Sequence, residues 1–500
     1  MFPRAHAECN VESVLARVIE LGQWLTAAAA AGTAEHHVER HLFTQMLAMG
    51  ATLLGEFFKS VGPGDLGPAV TLNNGDVVTR LPGQPGRRLV TAFGPFSIPR
   101  FVYGSRPGQK IELAPTDQRL RLPDGETSYL LQDWDQMMSV EQPFGTVTRS
   151  LLAILGLKQS VDTLEHGNRQ MAQTAAAFRA AQPCPDPTAE GELLVVSEDN
   201  KGVPMVRPAA AAAAAPVGAH RKKGEKANKK QMACIGVVYT VDRQARTPEE
   251  LVAALFRDPG GPGDERKRPP EACQKRYRAG LTREVAGQTV RAQDEVFRHL
   301  RDEVKRRRKK GQVLVHLSDG QTSLEDDRKK YLPRDRKTAD ILDLLHVNPR
   351  LWEAAHLFHA EGSDEAAAFV RKHMLLVLKG KAKQVINDLR QTGATLQGAN
   401  AARLRKLSKF LEKNLHRMHY GTYLRAGYPI ATGVIEGACR HVIKDRMERA
   451  GMRWKIPGAQ AMLELRTIEA NGDWDAFQNY RIESESKRLY PHTAITARAA

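Results

Sequence analysis

The stretch that decides the fold reads "GQVLVHLSDGQTS" and covers residues 311–323. Its apolar residues between Val313 and Leu317 are typical of a short buried strand. Asp319 and Gly320 follow this strand directly, and Asp319 has two interpretations. An aspartate at a strand end can be a turn former, because its side chain bonds the backbone two residues on. It can also face a ligand, since α/β sheets bind ligands beyond the carboxyl ends of their strands.

Other apolar segments predict the remaining strands of one mixed sheet. A long charged helix, predicted from about Thr289 to Lys310, precedes the strand before Asp319, and a helical block begins near Pro349. This order of strands and helices is typical of an α/β domain with a five-stranded sheet. The other predicted strands are "ELLVVSED" (192–199), "MACIGVVYTVD" (232–242), "CQKRYRAGL" (273–281) and "ADILDLLHV" (339–347).

The N-terminal third predicts DNA-binding elements. Residues 1–62 have helical apolar spacing, and residues 63–130 predict a β-ribbon around Gly94-Pro95. The arginines of this ribbon, Arg87, Arg88 and Arg100, either contact phosphate or belong to an ordinary solvated hairpin face.

A helix, a Gly-containing turn and a polar second helix predict a helix-turn-helix within residues 131–182. Ser160 is a good N-cap for the second helix. Thr163, Asn168 and Arg169 are expected on its outer face, with Glu165, and are residue types that read base edges. Any αα-hairpin would produce the same pattern.

The remaining boundaries divide the C-terminal two thirds. Residues 190–348 and 428–480 are predicted to form the two parts of the catalytic domain. An all-α insertion is predicted at 349–427, and residues 481–500 form a tail. Within the first part, an alanine run and a lysine-rich segment near residues 208–230 indicate a loop of low complexity.

Composition limits the class of protein. The 500 residues carry a net charge of +17, which favours polyanionic partners such as nucleic acid. No segment is long and apolar enough to span a bilayer, and the N-terminus lacks an apolar signal core. Five dispersed cysteines without a CxxC pair fit a reducing cytosol and argue against a zinc knuckle. We therefore expect a cytoplasmic protein with no membrane partner.

Three carboxylates are candidates for a metal centre. Asp199 and Asp319 lie at or near predicted strand ends, and Glu436 lies in the first turn of a later helix. Hard oxygen ligands suit Mg²⁺ or Mn²⁺, and two such ions can activate a hydroxyl and stabilise the leaving oxygen of a phosphodiester. Arg440 and Lys444 are expected on the Glu436 face of the helix, where they could hold a DNA backbone. The alternative is an exposed Glu436–Arg440 pair of small energetic value.

Longer motifs carry a resemblance to a known family. The stretches "EDNKGVPM", "SDGQTS", "ILDLLHV", "GYPIATGVIEGACRHVIKDRMERAGMRW" and "NGDWDAF" resemble the motifs of bacterial insertion-sequence transposases of the DDE type. The Kra-type family, whose usual forms are "DGKGVPM" and "MDGQ", is the most similar. The resemblance covers about residues 192–477.

The resemblance implies an RNase H-like catalytic domain with a helical insertion before the last acid. It assigns the catalytic and metal-binding acids to Asp199, Asp319 and Glu436. Related groups carry a Cys or Asp, two residues, then His, which Asp343 and His346 match; His346 would steady the DNA or an acid, or it is a packed histidine.

This sequence departs from the family pattern at Asn200, where a small residue is usual. It also departs at Glu198, a second carboxylate beside Asp199. Because consecutive strand residues face opposite sides, only one of Glu198 and Asp199 can face the metals.

The function expected from these features is transposition. The chain would bind the terminal inverted repeats of its element, cut them with two Mg²⁺ ions and join the 3′ ends to target DNA, acting as a homo-oligomer on double-stranded DNA. Arg446, Arg449 and Arg453 are further expected DNA contacts. The alternatives are a structure-specific RNase H-like nuclease and a non-catalytic DNA-binding protein derived from a transposase.

Overall fold

The computed structural model describes residues 11–83, 86–106, 111–206, 230–257, 270–431 and 433–493. The chain divides into two compact units. Unit 1 combines Met1–Phe178 with Trp474–Ala500, and unit 2 is Arg179–Asp473. Among the described residues, no helix is long and apolar enough to cross a bilayer.

Unit 1 begins with two long helices, continues through five short strands and then returns to helices. Strands β1, β2 and β5 form one sheet, and β3 pairs antiparallel with β4 in the predicted ribbon. The elements are α1 (Val11–Ala30), α2 (Glu35–Val61), β1 (Ala69–Thr71), β2 (Val77–Arg80), β3 (Arg87–Thr91), β4 (Gly94–Ile98), β5 (Tyr103–Gly104), α3 (Pro115–Leu120), α4 (Tyr129–Glu141), α5 (Phe144–Leu155), α6 (Val161–Ala172) and α7 (Ala175–Ala181), whose last turn lies past the unit boundary.

Two ribbon arginines are occupied within the protein. Arg87 Nη1 lies 2.8 Å from Asp117 Oδ2, and Arg100 pairs with the same carboxylate. Asp117 is buried, so its charge requires these partners. Arg88 is the exposed arginine of the ribbon, and it lies 3.3 Å from Glu126. This arrangement therefore does not favour contact of Arg87 or Arg100 with phosphate.

The two helices predicted on either side of Gly156 are α5 and α6, but one residue expected on the outer face of α6 is buried. Gly156 ends α5 in the left-handed conformation, and Ser160 Oγ accepts from Thr163 N at 3.0 Å. Thr163 and Arg169 are exposed. Asn168 is 1% exposed and donates to Gln136 Oε1 of α4 at 2.9 Å, so it holds α6 against α4 instead of facing outward.

Unit 2 is built on the predicted five-stranded mixed sheet. Its strands are β6 (Leu193–Pro204), β7 (Lys230–Val241), β8 (Cys273–Leu281), β11 (Val313–Ser318) and β12 (Thr338–Leu342), and their order is β12-β11-β6-β7-β8. β6 runs parallel to β11 and antiparallel to β7. β11 and β12 are parallel, and β7 and β8 antiparallel. A small hairpin of β9 (Arg283–Val285) and β10 (Gln288–Val290) follows β8.

Helices cover this sheet and continue into a helical block. On one face, Val296 and Leu300 pack against Leu194 and Val196 of β6. The helices are α8 (Pro248–Phe256), α9 (Ala292–Arg307), α10 (Thr322–Tyr331), α11 (Leu344–Ala355), α12 (Asp364–Leu378), α13 (Ala382–Thr392), α14 (Gly398–Asn414), α15 (Tyr420–Arg425), α16 (Gly433–Ala438), a π-helical segment (Cys439–Lys444), α17 (Asp445–Met447) and α18 (Ile456–Ala470). Short 3₁₀ turns lie at Pro187–Ala189, Gly393–Thr395 and Leu415–Arg417.

Two predicted boundaries need correction. The fifth strand ends at Leu342, because Asp343 Oδ1 accepts from Leu345 N and starts α11. Residues 349–427, the predicted helical insertion, lie within unit 2. Residues 474–480, predicted within the catalytic domain, belong to helix α19 (Trp474–Leu489) of unit 1, where Trp474 Nε1 donates to Asp133 Oδ1 at 2.7 Å.

Candidate active site

Asp199 lies at the point where β6 loses its parallel neighbour. The pairing of β11 with β6 ends at Ser318 opposite Glu198, whereas the pairing of β7 with β6 continues to Pro204. Asp199 Oδ1 accepts from its neighbouring amide Asn200 N at 2.6 Å, and Oδ2 accepts from the Cys439 thiol at 3.1 Å. The carboxylate therefore faces the helix that carries Glu436.

Glu198 points away from this site. It is 1% exposed, and its carboxyl oxygens have no hydrogen-bond partner among the described residues. The nearest cation is Arg328 of α10, whose Nη1 lies 3.7 Å from Glu198 Oε1. Burial raises the pKa of Glu198 to about 8 against the lowering effect of Arg328. Strand alternation thus places Glu198 on the α9 and α10 side of the sheet and Asp199 on the opposite side.

Asp319 forms a turn and also belongs to the acid cluster, which consists of Asp199, Asp319 and Glu436. Its Oδ1 accepts from Gln321 N at 2.7 Å, which is the expected aspartate turn. Burial raises the pKa of Asp319, and the negative charge of Asp199 raises it further. Gly320 has φ of +86°, and a Cβ there would lie 3.0 Å from Leu342 Cδ1. The backbone conformation therefore favours glycine after Asp319, and the space for a side chain is tight.

A buried polar network supports the strand end beneath Asp319. Ser318 Oγ accepts from Arg328 Nη1 at 2.6 Å and from Arg417 Nη1 at 3.0 Å. Arg417 is fully buried, also bonds Asn414 Oδ1, and lies 3.5 Å from Glu325 Oε2. Sequence reasoning missed both arginines, because each lies in a segment rich in charged residues and nothing in the local pattern marks it as buried.

His346 lies between the acids. Its Nε2 is 3.9 Å from Glu436 Oε1, and its Nδ1 is 3.8 Å from Asp343 Oδ2. The carboxylate of Asp343, and then the charges of Asp319 and Glu436, raise the pKa of His346. Asp343 is 2% exposed and caps α11, so it also fixes the position of His346 one turn into that helix. Glu436 is half exposed.

Cys439 is a neighbour of the acids that sequence reasoning missed. It begins the π-helical segment that continues α16, three positions after Glu436. Burial and the charge of Asp199 raise the pKa of its thiol, which keeps the thiol protonated as a donor to Asp199. Helical spacing of three from Glu436 was the available signal, since such residues share one face. π-helical turns are frequent at functional sites.

The donor chemistry of this cluster fits a hard divalent cation, but the ligands are not gathered at one point. Within the described ranges, no group of three His, Cys, Asp or Glu side chains is arranged to hold a metal ion. Burial raises the pKa of Asp319, and repulsion by the negative charge of Asp199 adds to this rise. A cation between two such carboxylates would relieve that repulsion, and carboxylate oxygens are the ligands that Mg²⁺ and Mn²⁺ prefer.

The predicted DNA-contacting cations around α16 do not all face solvent. Arg440 has a 78% exposed side chain and lies 3.7 Å from Asp445 Oδ2, and the described ion pairs do not join it to Glu436. Lys444, Arg449 and Arg453 are exposed.

Arg446 was wrongly expected at the surface. It is 1% exposed and stacks over the Trp454 ring at 5.0 Å. The π-helical segment from Cys439 to Lys444 also breaks the 3.6-residue spacing that placed Arg440 and Lys444 on the Glu436 face.

The sequence has two basic runs, residues 221–230 and 305–310, and these too are only partly available to a polyanion. Arg307 is buried and bonds Glu190, with Nε 2.8 Å from Oε1, and Arg308 pairs with Asp335 at 2.9 Å. The lysine-rich run at residues 221–229 lies outside the described residues. Fewer residues of the 305–310 run are therefore available to attract a polyanion than the sequence suggests.

Comparisons with known proteins include a distant structural likeness. No protein-family model matches this chain, and no curated protein matches it. The structure is similar to a solved structure titled "Drosophila P element transposase strand transfer complex", with 11% sequence identity, 73% of this chain and 82% of that chain covered, and a TM-score of 0.23. A TM-score this low supports no inference about activity.

Proposed function

We propose that this chain is a metal-dependent DNA transposase of the DDE type, which cleaves the ends of its element and joins the freed 3′ ends to target DNA. The observation that carries the proposal is that three carboxylates from distant parts of the sequence act electrostatically on one another or on a shared histidine. Asp199 comes from β6, Asp319 follows β11, and Glu436 comes from α16. His346 lies beside Glu436, and its pKa responds to Asp319 as well.

The sheet topology supports an RNase H-like catalytic domain. The first three strands of unit 2 in chain order are antiparallel neighbours, and β11 and β12 then extend the sheet in parallel beyond β6. Asp199 and Asp319 consequently lie at the same end of adjacent parallel strands. This is the place where an open α/β sheet positions ligand-binding groups. The helical block between Asp319 and Glu436 fits the insertion that the resemblance implies.

Asp199, Asp319 and Glu436 would hold Mg²⁺ or Mn²⁺, most simply as two ions. Such ions would supply an activated water or 3′-hydroxyl and charge stabilisation for the leaving oxygen of a phosphodiester. The chain's own residues prepare for this. The turn at Gln321 N orients one oxygen of Asp319, the Cys439 thiol orients one oxygen of Asp199, and His346 balances the charge of Glu436.

Double-stranded DNA is the proposed substrate. The net charge of +17 provides general attraction to phosphates. Exposed Arg169 and Thr163 on α6 are the proposed contacts to terminal repeats, and Arg440 is the proposed backbone contact near the acids. Joining two ends at one target would need a homo-oligomer, so a dimer or larger assembly is part of this proposal.

The test is Mg²⁺-dependent nicking and joining of a labelled terminal repeat by Asp319→Asn. Asparagine keeps the side-chain oxygen that accepts from Gln321 N, so the turn and the fold should survive. It removes the charge that Mg²⁺ needs, so cleavage and joining should be lost. Asp199→Asn and Glu436→Gln should behave alike, and a double variant should be little worse than a single one, because the acids act as a unit.

Asp326→Asn is the matched control, because Asp326 is exposed on α10 and loses the same charge. Robust nicking by Asp319→Asn would sink the assignment of this residue. Cleavage of branched DNA without regard to terminal sequence would favour a structure-specific nuclease instead. Metal-independent binding with no cleavage by the wild type would favour a non-catalytic DNA-binding protein.

A further inference from the structure

A second concave site lies on the other side of the helix that carries Glu436. It is a cavity of about 440 Å³ within unit 2, bounded by β7, β8, the loop that follows α15, and α16 with its π-helical continuation. Small-molecule sites occupy clefts of roughly 300–1,000 Å³, so this volume is sufficient for a nucleotide-sized ligand. None of the residues assigned above to catalysis lines it.

The cavity has aromatic walls. Tyr239 of β7 and Tyr277 of β8 lie on the same face of the sheet as Asp199, and Tyr428 approaches from the loop after α15. Tyr239 and Tyr277 are 3% and 4% exposed and contribute ring edges, whereas Tyr428 is half-buried and presents the more accessible ring. The guanidinium of Arg243 lies 5.1 Å from the centroid of the Tyr428 ring, which helps to hold that ring in place. Flat walls of this kind suit a planar aromatic ligand.

Arg246 lines the same cavity and supplies a positive charge. Arg246 Nε is buried and has no hydrogen-bond partner among the residues that the structure describes. Burial lowers the pKa of the Arg246 guanidinium, with Glu250 acting in the opposite direction. Lys275 adds a second positive charge and Asp242 a negative one. An anionic group at Arg246 would satisfy the buried N–H with a charge-assisted bond.

One helix separates this cavity from the acids. Val434, Gly437 and His441 line the cavity, whereas Glu436 and Cys439 face the acid cluster. Residues three or four apart share a helix face, so the two sets lie on two different sides of α16 and its π-helical continuation. A helix with its side chains is about 10–12 Å across, a distance that one or two nucleotides of a strand can cover.

We propose that this cavity binds one nucleotide unit, with its base against the tyrosines and its phosphate at Arg246. The inference rests on the proposed function, because it places the bound nucleotide one helix away from a phosphodiester held at the acids. The same chemistry could come from a nucleotide within a DNA strand or from a free nucleotide. In either case the ligand is a planar base joined to an anionic phosphate.

The first experiment measures binding of two probes, 2′-deoxyadenosine 5′-monophosphate and a short single-stranded oligonucleotide, to the full chain by calorimetry. Tyr428→Ala should weaken binding about tenfold, because it removes a surface on which a base stacks. Arg246→Gln should also weaken binding about tenfold, because it removes the charge-assisted bond to the phosphate. Tyr428→Phe should bind like the wild type, because it keeps the ring. Arg425→Gln, an exposed arginine on α15, is the matched control for loss of one charge.

Binding of both probes with these losses identifies the nucleotide itself as the ligand. Binding of the oligonucleotide alone, with the same losses, identifies a nucleotide within a strand. Equal affinities in the wild type, Tyr428→Ala and Arg246→Gln for both probes would overturn the proposal.

A second measurement does not depend on the variants folding. An oligonucleotide carrying a photoreactive base is irradiated with the wild-type chain, and the crosslinked peptides are mapped. Crosslinks to Tyr239, Tyr277 or Tyr428 support the proposal, and crosslinks confined to residues outside the cavity overturn it. Asp319→Asn separates this inference from the catalytic one, because it should lose cleavage and keep probe binding.

Discussion

Glu198→Gln offers the sharpest test of which strand residue serves the site. Glu198 and Asp199 are adjacent acids, but only Asp199 faces the helix with Glu436. Glu198 is buried with unbonded oxygens, and its pKa is raised to about 8. Glutamine has nearly the same shape as a protonated glutamate and cannot ionise. We therefore expect Glu198→Gln to fold and to keep substantial cleavage activity, whereas Asp199→Asn should lose it.

The size of the expected stability difference follows from the pKa of Glu198 in the folded and in the unfolded chain. Between its ordinary value of 4.5 and about 8, folded Glu198 keeps a proton that the unfolded chain releases. The free energy of unfolding of the wild type therefore falls as pH rises through this window, by up to about 1.4 kcal/mol per pH unit. Across this pH window the free energy of unfolding of the wild type falls by at most about 5 kcal/mol. Glutamine carries no such cost, so the variant should gain on the wild type as pH rises.

The assay is calorimetric melting of the wild type and Glu198→Gln at pH 5, 6, 7 and 8. The difference in melting temperature should grow in favour of the variant, by roughly 2–4 °C per kcal/mol. Glu361→Gln, at an exposed position, is the matched control and should show no such trend. A difference that stays constant from pH 5 to pH 8 would refute the raised pKa. A variant without cleavage activity, beside an active Asp199→Asn, would move the first ligand to Glu198.

Three further predictions concern the remaining site residues and the charge. Arg169→Ala should weaken preference for the terminal repeat by about 1–3 kcal/mol per lost base contact. Asn168→Ala should instead lower the melting temperature, because it leaves a buried Gln136 amide without its partner. Equal effects of the two substitutions on repeat binding, with unchanged melting temperatures, would contradict this. The pKa of His346 is raised in the folded chain, so protonated His346 stabilises the fold. The stability advantage of the wild type over His346→Gln should be complete below pH 6.5 and should be lost as pH rises through the folded pKa. Denaturant titrations at several pH values would detect this loss. Affinity for any duplex should fall steeply with salt, with a log–log slope of several units at about 0.9 per neutralised phosphate, and a nearly flat dependence in filter-binding assays would refute the electrostatic contribution.

Local spacing was enough to predict the main elements of unit 2. Apolar runs of strand length before Asp319 and around Val195 predicted β11 and β6, because a strand buried on both faces reads as a continuous apolar segment. The five-stranded mixed sheet followed from the order of such runs. The end of α5 and the start of α6 followed from Gly156 and the Ser160 cap, which are local signals. A strand period could not locate the end of β12, since "ILDLLHV" fits both a strand and a capped helix.

Only the tertiary structure decided which side chains face the site. Strand alternation requires Glu198 and Asp199 to face opposite sides, but the packing of α9 and α10 on one side and α16 on the other determines which side is the site. Packing against α4 likewise buries Asn168, although its helical position alone suggested an outer residue. The burial of Arg417 depends on helices and a strand that meet only in the fold. The periodicity of a segment is a property of its own backbone, whereas burial and charge environment depend on neighbours from distant parts of the chain.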